Sequence, residues 1–475
     1  MLFNSFEFAI FFFLVLPTYW LLRRRTPQNI ILLAGSYLFY ASWDWRFAFL
    51  LAATTIIDFY AVQKLGAANN ERRRTHWMIF SVAVNLGILG VFKYFDFFVS
   101  SAADVVDKLG LQWTEPALKL ALPVGVSFYV FHEISYTIDV YRKRIAPEND
   151  LVVYALYVAF FPQLVAGPIT RASHMLPQFH RERQFPTRHD IYSATVLIVS
   201  GLFKKVVLAD GIAPFVNTAF ANPTDRGFLP LVAAMFGFSI QIYGDFAGYT
   251  DMARGIGRLF GIEIARNFEQ PYLSRDITQF WRTWHISLSS WLHDYLYVPL
   301  GGNRGSKAKT YRNLMLVMLI GGLWHGASLT FVIWGGLHGL ALAAHRAFGR
   351  PPRDPQDQRL PLRDLPFVAI NFVFVSILWV FFRADSFASA IDFFRGMGAG
   401  LTGKIPNAWT PDDALILVAF FIIMVTIDLL DRSRRWYTPL VKLPVFAQGA
   451  IAASAVLMLV VFSGAAPTPF IYFQF

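Results

Sequence analysis

Three histidines stand in apolar surroundings, where an ionisable group is costly. His285 lies in RDITQFWRTWHISLSSWLHDYLYVPLGGNRG, from Arg275 to Gly305. His325 and His338 lie in GGLWHGASLTFVIWGGLHG, from Gly321 to Gly339. A neutral imidazole is a general base near pH 7, and an ionisable residue inside a membrane segment is a functional candidate by default. For His325, a base and an interhelical hydrogen bond fit equally well. For His338, packing is the favoured reading. Gly322 and Gly326, then Gly335 and Gly339, have the small-xxx-small spacing that lets helices approach closely. On one continuous helix His325 and His338 would stand about 20 Å apart on roughly opposite sides. They could then share no reacting atom, unless the chain folds back between them.

His285 is placed by a helical wheel from Ile277 to Tyr295. Ile277, Phe280, Trp281, Trp284, Leu288, Trp291, Leu292 and Tyr295 share one stripe, and Thr278, Arg282, His285, Ser289 and His293 form a polar strip beside it. Such a helix suits a membrane interface or the edge of an aqueous funnel. The plainer reading is an interfacial anchor; the functional one sets His285 against a polar cavity. Asp245 and Asp251 are expected at a helix end, ahead of Gly255, Gly257 and Gly261. GIGRLFG lacks the strand context of a phosphate loop, so close packing is its better explanation. No HExxH or carboxylate–histidine ligand spacing argues for a metal, and no GxSxG elbow for a serine esterase. The chain has no cysteine, which excludes a thiol nucleophile within it.

The elements that hold these residues follow from composition. Of 475 residues 55% are hydrophobic and only 15% charged, against roughly 25% in soluble domains. This is a polytopic membrane protein, and its spans are helices because lipid leaves no other partner for the backbone. Apolar runs lie near 6–22, 29–44, 46–64, 77–98, 119–140, 151–168, 191–209, 228–248, 313–345, 365–382, 413–429 and 445–463. They predict an all-α chain with about ten to twelve transmembrane helices plus re-entrant and interfacial pieces. The net charge of +11 clusters beside these runs, at Arg23–Arg25, Arg72–Arg74 and Arg142–Arg144. That pattern marks cytoplasmic loops and lipid headgroups, not nucleic acid. The first 25 residues lack a basic leader region and a cleavage site, and read as a first span.

Simple alternation of sides fails after Arg144. If 151–168 crossed, the loop with Arg171, Arg181, Arg183 and Arg188 would lie outside. Either 119–140, with Pro123 and Gly125, or 151–168, with Pro162, Gly167 and Pro168, is therefore expected to be re-entrant. From Leu314 to His345 no charge appears, and a straight helix of that length would reach roughly 48 Å across about 30 Å of hydrocarbon. A break at Gly321–Gly322 or Gly326 is expected. Arg350–Asp364 reads as the mobile loop. The chain is taken as one domain, 1–475, with N-terminal helices 1–118, a core 119–346 and C-terminal helices 347–475.

WHISLSSWLHDYLYVPLGGNRG followed by GGLWHGASLTFVIWGGLHG resembles the membrane-bound O-acyltransferase family, and within it the bacterial alginate O-acetyltransferase branch. LLAGSYLFYASWDW, LPVGVSFYVFHEISYTIDVYR, FFPQLVAGPITR, DFAGYTDMARGIGRLFGI, WVFFRADSF and the terminal PFIYFQF extend the likeness over nearly the whole chain. His132 departs from it, standing where the branch often carries Gln. The resemblance implies a fold built around a central funnel, in a multi-pass enzyme of the bacterial inner membrane. It implies His325 as the catalytic histidine and His285 as the second one. The implied donor is acetyl-CoA or another cytoplasmic acyl thioester, with no bound cofactor and no metal. The implied acceptor is an exported polysaccharide, reached through a periplasmic acetyltransferase partner. D-alanyl or peptidoglycan acyl transfer within the family, a transporter, and an export scaffold remain alternatives. Trp324, Asp294, Tyr297, Asn303, Arg282 and Ser289 are the expected supporting or substrate-binding residues. Arg266, Arg275, Arg282 and Arg304 are candidates for the donor's phosphates.

Overall fold

A chain that must satisfy its backbone without water folds as helix, and helix is the only extended regular structure among the described residues. The computed structural model describes residues 1–110, 122–349, 360–403, 411–431, 443–463 and 469–471. Ten residues of the loop expected to be mobile, 350–359, lie outside these. Five helices are long and apolar enough to cross a bilayer on their own: Trp45–Ala67, Glu71–Lys108, Phe228–Leu259, Leu362–Arg383 and Val445–Phe462. Two shorter apolar helical stretches, Phe6–Leu21 and Ala414–Leu430, add to these. Two compact units form, Met1–Ala194 with Ala253–Ala265, and Thr195–Met252 with Arg266–Phe475.

The first unit begins with α1 (Phe6–Leu21), α2 (Arg25–Ala41), α3 (Trp45–Ala67) and α4 (Glu71–Leu89), which runs through a π turn into α5 (Phe95–Lys108). Ser5, Asp44 and Asn70 cap α1, α3 and α4 by accepting backbone N–H bonds, as short polar side chains do at helix starts. The fully helical α6 (Val126–Tyr141) is followed by α7 (Leu151–Ala159) and α8 (Phe161–Leu164). α7 has nine residues, about 13.5 Å of rise, which is too short to cross. The candidate 151–168 is thus broken into short helices; in the other, 119–140, helix begins only at Val126, and residues 119–121 lie outside the described ones. The irregular continuation of 151–168 is buried and internally bonded. Gln163 donates to the Tyr157 carbonyl at 2.7 Å, and the Thr170 N–H donates to His132 Nε2 at 3.2 Å. His132, the departure from the family pattern, holds this backbone in place. Gly125, at φ +77°, lies where a Cβ would meet the Leu164 carbonyl oxygen at 2.6 Å. Arg183 belongs to this unit too, donating to Asn29 at 2.6 Å and to Tyr19 at 3.2 Å. After α9 (Ala172–His180), α10 (Arg188–Leu202) leads onward.

The second unit starts within α10 at Thr195 and continues through a π-helical turn, Phe203–Asp210, α11 (Gly211–Ala221) and α12 (Phe228–Leu259) as far as Met252. α12 runs unbroken for 32 residues, so Asp245 and Asp251 lie inside it rather than at its end. Close packing on α12 occurs at Gly257, as expected, where an added Cβ would meet the Ile262 carbonyl oxygen at 2.9 Å, and also at Gly244 and Gly248, whose added Cβ would meet the Lys204 and Gly201 carbonyls at 2.9 and 2.6 Å. Next come α13 (Ile277–Thr283), α14 (Ile286–Leu292), α15 (Lys307–His325) and α16 (Leu329–Phe348). α17 (Leu365–Arg383), α18 (Phe387–Leu401), α19 (Pro411–Asp431) and α20 (Val445–Phe462) complete it.

The uncharged stretch from Leu314 to His345 is a hairpin of α15 and α16, broken at Gly326–Ser328. Its helices cross backbone to backbone. A Cβ on Gly322 would collide with the Phe331 carbonyl oxygen, and one on Gly335 with the Met318 carbonyl oxygen. Gly336 differs, because a Cβ there meets only Leu319 at 3.4 Å. G322V is therefore expected to lower stability by about 1–3 kcal/mol through overpacking. G336A is expected to be neutral or slightly stabilising. Thermal unfolding of the detergent-solubilised protein measures both.

Candidate active site

The wheel from Ile277 to Tyr295 assumed one helix, and the backbone breaks it at His285. Trp284 is extended, and His285 adopts the left-handed conformation, φ 43° and ψ 55°, which is uncommon for a residue with a Cβ. Asn267 explains why the break persists. Its carbonyl accepts from Ile286 N–H at 2.9 Å, and its side-chain Oδ1 accepts from Ser287 N–H at 3.1 Å and Ser287 Oγ at 2.9 Å. A residue 18 positions away thus caps α14 in place of a local side chain. His285 Nδ1 lies 3.2 Å from the same Oδ1. Because Oδ1 already accepts from a backbone N–H, it is the oxygen of the amide and not the nitrogen. His285 Nδ1 therefore carries the proton, and the lone pair of the neutral ring resides on Nε2.

The aromatic stripe packs against protein. Trp284 is buried, with ring centroids 5.0 Å from Trp379 and 5.5 Å from Phe280. The left-handed turn also removes His285 from the polar strip. His285 is fully buried, while Thr278, Arg282, Ser289 and His293 line one groove of about 580 Å³.

His325 is the last residue of α15, at the hairpin tip. Ser328 starts α16 by accepting from Thr330 N–H at 3.3 Å. Gly326 is needed between them, since a Cβ there would collide with the Phe331 ring. The buried His325 ring packs 4.9 Å from Trp324, 5.2 Å from Trp334 and 5.2 Å from Phe382. Trp324 also lies 6.1 Å from His285, edge to face. One indole therefore contacts both imidazoles.

The fold-back cancels the separation expected on a continuous helix. His338 packs 4.7 Å from Trp334, the residue that contacts His325. Its chemistry is already committed, however. Trp281 Nε1–H donates to His338 Nδ1 at 3.2 Å, which occupies the basic nitrogen of the neutral ring. The ring also stacks on Phe280 at 6.1 Å and 7°.

The remaining expected residues separate. Arg282, Ser289 and Tyr297 line the groove. Asp294 pairs with His293 Nδ1 at 2.9 Å. Asn303 is exposed in the turn Gly301–Gly305. Of the arginines proposed for phosphates, Arg266 donates to the Phe268 carbonyl at 2.7 Å, and Arg275 pairs with Asp276 at 3.4 Å. Arg304 is exposed, and only Arg282 of the four lines the groove.

Two features escaped the sequence reading. Lys205 bridges Asp210 at 2.7 Å and Asp245 at 2.8 Å, and Lys204 pairs with Asp251 at 2.7 Å. Adjacent lysines in the apolar run GLFKKVVLAD were the available signal. Near the C-terminus, Ile471 N–H donates to Asp245 Oδ2 at 2.6 Å, and Phe470 packs 5.8 Å from Phe246. Phe246 in turn lies 4.6 Å from His285. Among the described residues no cluster of three His, Cys, Asp or Glu suits a metal ion.

Comparison with known proteins gives this geometry a setting. The family of membrane-bound O-acyltransferases matches residues 117–390. A probable alginate O-acetylase, AlgI, of Pseudomonas aeruginosa is 41% identical over 401 residues, covering 82% of this chain and 74% of the relative. A peptidoglycan O-acetyltransferase of Helicobacter pylori is 36% identical over 438 residues, covering 85% and 80%. A teichoic acid D-alanyltransferase of Streptococcus thermophilus is 27% identical over 283 residues, covering 54% and 67%. The matched region contains every residue of the histidine cluster, and this chain belongs to the membrane-bound O-acyltransferase family.

Proposed function

We propose that this O-acyltransferase passes an acetyl group from a cytoplasmic thioester toward an exported polysaccharide of the alginate type, with His325 as general base. The observation that supports this most is that His325 and His285 both pack against Trp324. A thioester is already activated, so the enzyme must supply position, a base and stabilisation of the oxyanion. His325 takes the proton of the acceptor hydroxyl as its oxygen attacks the thioester carbonyl. That attack forms the C–O ester bond; collapse of the tetrahedral intermediate restores the carbonyl, breaks the C–S bond and expels the thiolate. The imidazolium then returns its proton to sulfur, and His325 ends as it began.

His285 has a different task. Its Nδ1 proton is held by Asn267, so Nε2 accepts a hydrogen bond and orients the hydroxyl or the thiol. Trp324 supplies an N–H donor beside both rings for the developing charge. Asn303, exposed in its turn, has no part in this scheme. The bacterial inner membrane and a periplasmic acetyltransferase partner complete the reading. The identity to the alginate acetylase, 41% against 36% for the peptidoglycan enzyme, favours the alginate-type acceptor.

His325→Ala is expected to lower ester-linked acetate on the polymer at least a hundredfold in the native host, the lower range for loss of a general base. His338→Ala is expected to keep a measurable fraction, because its Nδ1 serves Trp281. Equal loss at equal protein level contradicts the assignment. The tautomer gives a second expectation. N267L removes the acceptor of His285 Nδ1–H and is expected to reduce transfer at least tenfold. N267D keeps an acceptor and is expected to retain more activity than N267L at matched stability.

A further inference from the structure

Two carboxylates of the first unit have no part in the scheme above. Asp58 stands on α3, within the membrane-crossing helix Trp45–Ala67, and Glu133 stands on α6. Both are buried, and among the described residues neither forms an ion pair. A charge at membrane depth without a partner is costly, so such residues mark ion sites by default.

Hydrogen bonds bring the two groups together. Thr55 on α3 donates to Glu133 Oε1 at 3.3 Å, and Thr137 on α6 donates to Asp58 Oδ1 at 3.1 Å. Thr55 and Asp58 are three positions apart and Glu133 and Thr137 four, so each pair shares one face of its helix. The carboxylates therefore lie about one helical turn apart across the α3–α6 contact. Asp58 Oδ1 also accepts from Ser81 Oγ and from Asn85 Nδ2 at 3.4 Å, and Oδ2 accepts from Tyr154 OH at 2.5 Å. Asp58 thus accepts on both oxygens, which is the pattern of an ionised carboxylate. Glu133 Oε2 makes no hydrogen bond, and the side-chain oxygens of Asn85 and Tyr129 are likewise buried without a partner. Asn85 reaches the site through Asp58, and Tyr129 lies one turn before Glu133 on α6. Oxygens with free lone pairs collect beside an anion to which the protein supplies no cation.

The donors on offer are carboxylate, hydroxyl and amide oxygens. Such hard donors suit a hard cation, and no imidazole or thiolate stands among these groups to select a transition metal. Ca2+ takes roughly six to eight oxygens and Mg2+ keeps several waters, so a site walled by packed helix side chains favours a monovalent ion. We propose that Asp58 and Glu133, with Asn85 and Tyr129 as further oxygen donors, bind one sodium-sized monovalent cation that ties α3, α4 and α6 together. This site lies within the first unit, and its existence does not depend on the acyl-transfer reading.

Binding of radioactive sodium to the full-length protein in detergent tests it, with choline chloride holding the ionic strength constant. The wild type is expected to bind one saturable sodium ion per chain, and to unfold at a higher temperature in sodium than in choline. E133Q is expected to abolish both effects. T55V keeps both carboxylates but removes the hydrogen bond that orients Glu133, and is expected to weaken binding about tenfold or more. Because T55V changes no charge, it reports on the site even where E133Q fails to fold. A wild type without saturable sodium binding overturns the cation site. Sodium binding that E133Q and T55V both retain overturns its location. Stabilisation by low pH or by Ca2+, with none by sodium, overturns it in favour of a proton or a divalent ion.

Discussion

Gly322 and Gly335 let α15 and α16 meet backbone to backbone, and the arrangement of the site depends on that crossing. A side chain at either position would push the helices apart. His325 at the tip would then lose Trp334, the indole that also packs on His338 within α16. Without a hydrophobic drive between helices in lipid, close approach of small residues is what favours association there. The same glycines thus stabilise the hairpin and set the height of His325.

A second constraint acts from outside the hairpin. His285 is held in a left-handed conformation that its side chain does not favour, and Asn267 offsets this by capping α14 and binding the imidazole at once. Strained residues of this kind persist where the surroundings over-determine them, and they concentrate at functional sites. Trp324 joins the two devices, since both imidazoles pack against its indole. Buried polar groups would be a liability in an apolar unit, so each imidazole is packed among aromatic rings, and His285 and His338 are each held by a specific hydrogen bond.

Much of this was legible in the residues. The deficit of charge gave the membrane class, and the length of the uncharged run Leu314–His345 required a break. The order of the motifs gave the family. Other parts were hidden for physical reasons. A helical wheel adds 100° per residue without interruption, so one left-handed residue at His285 moves it off the strip that its neighbours share. Asn267 acts across 18 positions through an irregular segment, where no periodicity marks it. The pairs Lys205–Asp245 and Lys204–Asp251 join the π turn to α12, and such long-range pairing is invisible to local pattern. The expected helix end at Asp245 failed because lysine neutralises the carboxylates inside α12.

The central claim is that acyl transfer occurs between His325 and His285 at Trp324. It is tested most directly by a cryo-electron microscopy structure with a non-hydrolysable thioether analogue of acetyl-CoA. The account predicts the acetonyl carbonyl against Trp324, within hydrogen-bonding reach of a hydroxyl placed at His325. An analogue whose carbonyl lies away from both imidazoles, with the hairpin intact, would contradict it.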